Sequence, residues 1–423
     1  MLEFVNHFNR VIFVMISVLY FYQIAYVVVS LVGDQKSKNH PAKANVLHRY
    51  GVIIAARNES AVIAELIKSI KKQRYPSDLV DIFVVADNCT DNTAQIAKKA
   101  GAIVFERFNS QLIGKGYALD FAFKHIYAME DKKYDGYFIF DADNLLDEHY
   151  IAEMNKTFDN GYRVVTSYRN SKNYDNTWIS AGYSLWFLRE AKFLNNSRML
   201  LKTSCAVSGT GFLVSDEIIR KNNGWKYYLL TEDIEFSIDS AIKGEKIGYC
   251  SHAKLYDEQP CTFQQSWTQR LRWSKGFYQV FGKYGAELVK GIGKRKSSFS
   301  CYDMLMTVAP AVIVSLICIG VNGVFLIYCI MNVQLVTNLL SICIKSMFFA
   351  GVNFYLSFFL LGFLTTITEW KEIKCDPVKK ILYTFTFPLF MFTYLPISIV
   401  ALFKKVEWTP IAHNIVKTLD EVR

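Results

Sequence analysis

A long uncharged run near the N-terminus is the feature that most limits how this chain can fold. Val11–Val32 is 22 residues long and contains no charged side chain. A helix of that length crosses a hydrocarbon core of roughly 30 Å. Tyrosines and a phenylalanine occupy positions 20–22, where a cleaved signal peptide would carry small residues. We therefore predict a transmembrane helix over residues 11–33 instead of a signal peptide.

Three more apolar segments follow near the C-terminus: Met304–Ile330, Leu335–Thr368 and Ile381–Phe403. They predict C-terminal membrane segments within residues 303–403. The segment after the first apolar run is basic, and the formal net charge of the chain is +10. Basic residues beside a membrane helix favour the cytoplasmic side. We predict a multi-pass cell-membrane protein whose polar region lies in the cytoplasm, against an anionic leaflet of membrane lipid.

Several function classes are disfavoured by what the sequence lacks. The positive charge also suits nucleic acid, but no basic stripe or recognition motif is present, so no nucleic-acid partner is expected. The nine cysteines include no C-x-x-C pair, which argues against a zinc site or a disulfide framework. The sequence also has no Walker loop and no G-x-G-x-x-G turn.

The polar region alternates short apolar runs with amphipathic stretches. Strands are predicted at Val52–Ala55, Ile82–Val85, Ile103–Phe105 and Tyr137–Phe140, with helices between them. This alternation predicts an α/β fold with a mostly parallel sheet covered by helices. Ligands of such folds bind at the C-terminal ends of the strands.

Two aspartates follow the fourth predicted strand in the sequence "DADN". In an extended chain Asp141 and Asp143 project to the same side, where their charges repel unless a cation joins them. Mg²⁺ or Mn²⁺ shared with a nucleotide diphosphate would do so. A turn or helix cap is the alternative for this pair. Because the sequence has no glycine-rich phosphate loop, basic side chains would also have to bind the phosphates. The candidates are Lys115, Arg270 and Arg272.

The sequence "TED" at Thr231, Glu232 and Asp233 stands between an apolar run and a helical pattern. It predicts a helix N-cap with acidic residues in the first turn. A carboxylate there could instead accept a proton from an attacking sugar hydroxyl. The two roles use different side chains, so both remain open.

The stretch "QQSWTQRLRWSKG", Gln264–Gly276, combines amides, arginines and tryptophans beside the membrane region. Such planar groups suit a site that holds an anion next to a flat apolar ring face. A phosphate next to a sugar meets that description.

Four motifs occur in order: "VVADNCTDNT", "DAD", "TED" and "QRLRW". With them, Tyr50–Gly276 resembles membrane-bound family 2 glycosyltransferases, the group that contains cellulose, hyaluronan and poly-N-acetylglucosamine synthases. The resemblance implies a GT-A fold over residues 48–276, a UDP-sugar donor and inverting transfer to a growing polysaccharide.

The resemblance also implies roles for individual residues. The nucleotide would be held by Ala56, Arg57, Glu59, Asp87, Lys115, Asp141, Gln269 and Arg272. Asp141 and Asp143 would bind Mg²⁺ or Mn²⁺. The catalytic residues would be Asp233, as general base, and Glu232. The acceptor would contact Trp273, Ser208, Gly209 and Thr210; an ordinary strand end is the alternative for "SGTGF". Ala55 and Ala86 depart from the family, which usually has proline and aspartate there.

Two further segments are predicted in the C-terminal half of the chain. Residues 277–302 are predicted as an interfacial amphipathic segment, and residues 404–423 as a cytoplasmic tail. Trp408, Thr409 and His413 resemble the gating loop of related synthases; a tail anchored on the membrane by Trp408 is the alternative. Pro388 and Pro396 predict that the last apolar segment makes no simple crossing and that the tail returns to the nucleotide site.

The leading hypothesis is a processive inverting glycosyltransferase that polymerises a β-linked polysaccharide, with glucan favoured, and passes it across the membrane. Accessory export proteins are candidate partners. The alternative is a non-processive enzyme that moves one sugar to a lipid-linked or glycan acceptor. A sensor or transporter without catalysis is disfavoured by the D-x-D and T-E-D motifs.

Overall fold

A mixed β-sheet forms the centre of the polar region. The computed structural model describes residues 2–36, 44–129, 132–331, 336–411, 413 and 415–422. In this part of the chain the sheet has eight strands: β1 (Tyr50–Ala56), β2 (Val80–Asp87), β3 (Ile103–Arg107), β4 (Gly136–Asp141), β5 (Leu145–Leu146), β6 (Val164–Ser171), β7 (Phe212–Ser215) and β8 (Ile247–Asp257). Their order is β3-β2-β1-β4-β7-β6-β8-β5.

All four predicted strands form, and they make the parallel half of the sheet. β1 pairs in parallel with β2 and β4, and β3 extends β2. The buried side chains of β1 enter two separate clusters, one on each face, which is why these strands are continuous apolar runs. From β4 onward the sheet is mixed, because β7 runs antiparallel to both β4 and β6. The predicted mostly parallel sheet is correct for β3-β2-β1-β4 and for the pair β6–β8, while β7 and β5 run antiparallel to their neighbours.

Helices cover both faces of the sheet and continue beyond it. They are α1 (Leu2–Lys36), α2 (Ile63–Lys71), α3 (Thr93–Lys99), α4 (Lys115–Ala128), α5 (Tyr150–Asp159), α6 (Trp178–Arg189), α7 (Asn196–Leu200), α8 (Asp216–Lys221), α9 (Glu232–Lys243), α10 (Phe263–Ile292), α11 (Ser298–Val308), α12 (Pro310–Ile330), α13 (Val336–Thr368), α14 (Pro377–Phe392), α15 (Tyr394–Phe403) and α16 (Leu419–Val422). A 3₁₀ turn, Ser77–Leu79, precedes β2, and a π-helix, Glu190–Asn195, joins α6 to α7.

Helix α10 is continuous for 30 residues. Its N-terminus is capped by the Thr262 hydroxyl, which accepts a bond from the Gln265 N–H at 3.2 Å. The structure has no break at the predicted boundary between residues 276 and 277. Val280 and Leu288, from the predicted interfacial segment, are buried in a cluster with Ile238 of α9. The second half of α10 therefore packs against the sheet region.

Among the described residues, three helical stretches are long and apolar enough to cross a membrane: Asn6–Gly33, Phe348–Thr368 and Pro377–Phe403. The first includes the predicted residues 11–33. The predicted segment from Met304 is divided, because α11 ends at Val308 and α12 begins at Pro310. Met304 itself is buried in the cluster that joins α9, α10 and α11.

The last apolar segment is interrupted at Thr393, between α14 and α15, and it lies against α6 and α10. Gly182 of α6 allows close approach, since a Cβ there would lie 2.4 Å from the Phe390 ring. The Tyr278 hydroxyl of α10 donates to the Ser398 carbonyl at 2.9 Å. Arg270 is fully buried at this junction, where it donates to the Phe390 carbonyl at 3.1 Å. That contact removes Arg270 from the phosphate ligands expected from the sequence.

A buried ion pair fixes α11 to the sheet region. The Arg198 guanidinium contacts both carboxylate oxygens of Asp303, at 2.7 and 3.0 Å. The hydroxyls of Tyr26 and Tyr22 on α1 donate to the same carboxylate at 2.7 and 3.0 Å. One carboxylate thus joins α1, α7 and α11, and all four of its hydrogen bonds come from side chains distant in sequence.

Replacing this carboxylate should destabilise the protein strongly. Asp303→Ala leaves the Arg198 charge buried without its partner, and breaking a buried pair costs about 3–5 kcal/mol. Tyr22→Phe removes one hydrogen bond and should cost about 1 kcal/mol. Thermal unfolding of the detergent-solubilised full chain measures both. Equal melting temperatures for the two variants would contradict the role given to the ion pair.

Candidate active site

The carboxyl ends of β1, β2 and β4 lie side by side and carry Arg57, Asp87 and Asp141. Asn58 and Asn88, which follow β1 and β2, both take positive φ, 59° and 52°. Asparagine tolerates this left-handed conformation better than most residues, so it can turn the chain sharply at a strand end. The Asn58 side chain accepts a bond from the Thr90 N–H at 2.8 Å and holds the two loops together.

Asp87 forms an ion pair with Arg107 of β3, in which Arg107 Nη1 lies 2.5 Å from Asp87 Oδ1. Burial raises the pKa of Asp87, and the Arg107 charge opposes that shift. Arg57 adds a second positive charge nearby. The Nη1 atom of Arg57 is buried and makes no hydrogen bond within the structure. A buried donor without a partner costs free energy, so a ligand acceptor here would be stabilising. The Ala56 carbonyl oxygen is already occupied by the Cys89 thiol at 3.4 Å.

Lys115 stands at the centre of the site. Its Nζ donates to Asp141 Oδ1 at 2.5 Å and to the Gly209 carbonyl at 2.7 Å. Burial alone would lower the pKa of Lys115, but the charges of Asp141 and Glu232 raise it. The next residue, Gly116, fits only without a side chain, because a Cβ would lie 2.0 Å from the Tyr227 carbonyl oxygen. Lys115 therefore links β4 to the 208–211 loop.

The D-x-D motif does not continue as extended chain. Residues 142 and 143 form a turn, and the Asn144 N–H donates to the Asp141 carbonyl at 3.2 Å. Asp143 is buried and accepts a bond from the Glu258 N–H at 2.8 Å. Although burial would raise the pKa of Asp143, His413 and Lys172 hold it below its usual value. The expected extended backbone at the D-x-D motif is therefore wrong, and the turn alternative describes it.

The two carboxylates still fit a hard divalent cation. In the described part of the chain, no group of three or more His, Cys, Asp or Glu side chains is arranged to hold a metal. The protein would thus supply at most Asp141, whose side chain is 39% exposed, and Asp143. Mg²⁺ is commonly bound by one or two carboxylates, with substrate phosphates and water completing its shell. This donor set suits a cation that arrives with a diphosphate.

Glu232 and Asp233 begin α9. Burial and the neighbouring Asp233 charge raise the pKa of Glu232 to about 8, and burial also raises the pKa of Asp233. Thr231 precedes the helix but makes no capping hydrogen bond, so this part of the N-cap expectation is wrong. Asp233 instead lies against the 208–211 loop: its Oδ2 would be 3.9 Å from a Cβ at Gly209.

The 208–211 loop is held from several sides. Thr210 Oγ1 accepts a bond from the Asp141 N–H at 2.9 Å and donates to Asn144 Oδ1 at 2.5 Å. The Ser208 hydroxyl donates to Glu190 in the π-helix. Gly211 takes a φ of 67°, and a Cβ there would lie 1.9 Å from a Leu255 methyl carbon. The loop leads directly into β7, so the alternative reading of "SGTGF" as an ordinary strand end also describes it.

Gln269, Arg272 and Trp273 of the "QRLRW" motif share one face of α10, as their spacing of three and four residues requires. Burial lowers the pKa of Arg272, against the attraction of Glu232 and Asp141. Gln269 Oε1 is buried without a hydrogen-bond partner. The Trp273 ring is partly buried, edge-on to Tyr183 and Phe187, with centroid distances of 5.7 and 6.2 Å. Aromatic and cationic groups therefore meet beside the T-E-D carboxylates.

The C-terminal tail lies over these strand ends. The Arg57 and Arg272 guanidinium carbons are 5.3 and 5.6 Å from the centre of the Trp408 ring. Arg272 donates to the Thr409 carbonyl at 3.2 Å. His413 Nδ1 is 2.9 Å from a Glu59 oxygen. Burial would lower the pKa of His413, but the Asp143 and Glu59 carboxylates raise it to about 10; burial raises the pKa of Glu59 to about 7.

The sequence did not indicate several groups that complete the site. They are Arg107, Asn144, Arg169, Lys172, Glu190, Asp257 and Glu258. Arg169 of β6 donates to Asp257 at 2.6 Å and to the Ser208 carbonyl at 2.9 Å. Lys172 is buried, and burial lowers its pKa. The adjacent acidic residues Asp257 and Glu258 are visible in the sequence. Their position beside the D-x-D motif depends on the pairing of β8 with β5 and β6, which the sequence does not show.

Comparison with known proteins gives a family match. The model described as "Glycosyltransferase like family 2" matches residues 48–276. A beta-monoglucosyldiacylglycerol synthase from Nostoc sp. is 26% identical over 270 residues, which cover 60% of this chain and 54% of that protein. A poly-beta-1,6-N-acetyl-D-glucosamine synthase from Staphylococcus aureus is 24% identical over 252 residues, 58% of each protein. The chain thus spans less than two thirds of these relatives.

The fold also has a match among solved structures. The mannosyltransferase PcManGT from Pyrobaculum calidifontis, determined with GDP-Man and Mn²⁺, superposes with a TM-score of 0.56. The alignment covers 93% of this chain and 98% of that protein, at 14% sequence identity. The predicted fold class is confirmed: a GT-A-like mixed sheet with apolar helices that could span a membrane.

Removing the His413 imidazole should release the tail. His413→Ala deletes a charge-assisted contact with Glu59, and such bonds contribute about 1.5–3 kcal/mol. Cleavage of a transiently opened segment follows its open population, so trypsin should cut at Lys417 roughly tenfold faster. His149→Ala, at a half-exposed histidine beside Asp147, is the matched control. Unchanged cleavage of the His413→Ala variant would show that this contact does not hold the tail.

Proposed function

The chain belongs to the glycosyltransferase-like family 2, and from this we propose that it is a membrane-bound inverting transferase that uses a UDP-sugar. The observation that carries the proposal is the convergence of Lys115, Arg272 and Asp141 with the Asp233 carboxylate at one edge of the sheet. A cation for the diphosphate, Lys115, and a base for the hydroxyl, Asp233, both lie against Gly209 of the 208–211 loop.

The donor would be bound mainly by charge. Lys115 and Arg272 supply positive charge for the two phosphates, and the free Nη1 of Arg57 offers a donor to the nucleoside side. Gln269 has a buried acceptor that needs a partner. When bound by Asp141 and Asp143, Mg²⁺ or Mn²⁺ would neutralise part of the diphosphate charge. The remaining positive charge would come from Lys115 and Arg272.

Asp233 is proposed as the general base. The acceptor hydroxyl oxygen attacks the anomeric carbon of the sugar, and the bond from that carbon to the diphosphate oxygen breaks on the opposite face. UDP leaves with the electron pair, and the hydroxyl proton passes to the Asp233 carboxylate. Burial raises the pKa of both Glu232 and Asp233. Asp233 is assigned as the base because it lies against the 208–211 loop, where its Oδ2 would be 3.9 Å from a Cβ at Gly209.

A lipid acceptor is the first candidate. Tyr183, which contacts Trp273, also packs against Phe390 of α14 with ring centroids 5.0 Å apart. The same helix exposes Leu382, Phe385 and Leu389. An apolar surface that suits a bilayer therefore adjoins the aromatic groups at the acceptor side. The similarity to a beta-monoglucosyldiacylglycerol synthase supports this candidate.

Processive synthesis of a β-linked polysaccharide, with glucan favoured, is the second candidate. The cluster of Trp273, Tyr183 and Phe187 provides flat faces on which a retained glycan could pack. The similarity to a poly-beta-1,6-N-acetyl-D-glucosamine synthase supports it. In either case the tail lies on the same side as the site, because Trp408 and His413 contact Arg272 and Glu59. We propose that this side is the cytoplasm, because the segment that follows the first apolar helix is basic.

One experiment separates these candidates. The full chain in lipid vesicles with diacylglycerol is incubated with labelled UDP-glucose or UDP-N-acetylglucosamine. We expect UDP release and a single labelled glycolipid in the organic phase. An ethanol-insoluble product that is degraded by a β-glucanase or a β-hexosaminidase would support the polysaccharide synthase. Absence of UDP release with every UDP-sugar tested would overturn the proposed activity.

The two acidic residues should respond differently to substitution. Asp233→Asn removes the base and should lower the transfer rate by about 10²–10⁴-fold. Glu232→Gln replaces a largely protonated carboxyl with a neutral group of similar shape, so we expect a loss of less than about tenfold. Glu245→Gln, just beyond the other end of α9, is the control. UDP binding, measured by calorimetry, should remain in all three; near wild-type transfer by Asp233→Asn would refute the assignment.

A further inference from the structure

The turn between α10 and α11 carries an exposed positive charge that the proposed reaction does not use. Four basic side chains are exposed there: Lys290, Lys294, Arg295 and Lys296. In the described part of the chain none of the four forms an ion pair. No acidic residue occurs between residues 288 and 302. We call these four side chains the basic turn.

The shape of the basic turn is fixed by tight packing. Gly291 is buried, and a Cβ there would lie 2.5 Å from the Cys301 sulfur, so α10 and α11 approach closely. The Ser300 hydroxyl accepts a bond from the Ser204 N–H at 3.0 Å, which attaches the start of α11 to the sheet region. The four charges therefore stand on a rigid hairpin of helices.

Contacts between α1 and the helices after the turn locate it relative to the apolar span. Asn9 bonds to Asn322 at 3.2 Å, and the Tyr20 hydroxyl donates to the Met306 carbonyl at 3.0 Å. The Tyr26 ring lies 6.3 Å from Phe299. The two segments thus run antiparallel, and the turn lies just past the level of Tyr26, towards the C-terminal end of the Asn6–Gly33 span.

Tyrosines mark the same level. Tyr22 contacts both Tyr26 and Tyr302, with ring centroids 5.3 and 5.5 Å apart. Clustered tyrosines are typical of the boundary between the membrane and water. Phe299 and Val289, which flank the basic turn, are exposed apolar side chains. Positive charge next to apolar groups at this depth matches the head groups and upper acyl chains of a bilayer.

We propose that the basic turn binds the head groups of anionic phospholipids. This inference rests on the proposed membrane location of the enzyme and adds a lipid-binding surface to it. A cluster of cations at the cytoplasmic end of a membrane helix attracts anionic lipid, and the attraction fades within a Debye length. Because α10 carries Arg272 and Trp273 nearer its other end, lipid bound at the turn would set the tilt of the active site against the membrane.

Lipid selectivity of the full chain tests the proposal. The protein is reconstituted in phosphatidylcholine vesicles with spin-labelled phosphatidylglycerol or spin-labelled phosphatidylcholine, and the protein-bound fraction of each label is measured. We expect a preference for phosphatidylglycerol that falls as salt is raised. The variant K290Q/K294Q/R295Q/K296Q should lose about threefold or more of that preference.

Two further variants keep the test interpretable. K71Q/K72Q/K98Q/K99Q removes four exposed lysines around α2 and α3 and should keep the preference. K290R/K294R/K296R preserves the charge and should also keep it. An unchanged preference in the glutamine variant of the turn, or displacement of the labelled lipid by a DNA duplex at physiological salt, would overturn the proposal. Sugar transfer in neutral vesicles reports on the proposed function separately, because the basic turn lies outside the active site.

Discussion

The contact between Gly276 of α10 and Thr231 before α9 holds the active site together. A Cβ at Gly276 would lie 2.5 Å from the Thr231 side chain, so only glycine lets the two elements approach this closely. α9 begins with the T-E-D carboxylates, and α10 carries Gln269, Arg272 and Trp273. A wider separation would move the proposed phosphate-binding groups away from the proposed general base. Packing of α10 against α11 and α15 then extends this arrangement towards the membrane helices.

The buried cations of the candidate active site are neutralised by carboxylates of the protein itself. Lys115 contacts Asp141, Arg107 contacts Asp87, and Arg169 contacts Asp257, so buried cations are paired with carboxylates. Buried charges are costly unless they are paired and hydrogen-bonded. A diphosphate would compete for Lys115 and Arg272, and Arg272 already donates a hydrogen bond to the Thr409 carbonyl of the tail. Binding of the proposed donor would therefore be coupled to the position of the tail through the Arg272 guanidinium.

The membrane-side half of the molecule depends on polar contacts that apolar helices rarely contain. Asp303 and Arg198 join three helices, and Tyr22 and Tyr26 satisfy the remaining carboxylate lone pairs. In the last apolar segment, α14 packs against α6 and α15 packs against α10. These contacts keep the tail on the same side as the sheet region. These contacts explain how a chain with several apolar helices can place its last residues over the strand ends.

The sequence by itself determined the strands, the first apolar helix and the order of the motifs. Continuous apolar runs were sufficient for β1–β4 because both faces of that part of the sheet are covered, and loops at strand ends then had to carry the polar groups. Spacing also placed Gln269, Arg272 and Trp273 on one helix face. It could not decide between Arg270 and Arg272, which are two residues apart and so project about 200° from each other. Only the packing of Phe390 showed which arginine is buried. The turn at Asp143 and the contributions of Arg169, Asp257 and Glu258 were likewise decided by tertiary structure, because they depend on pairing between strands far apart in the chain.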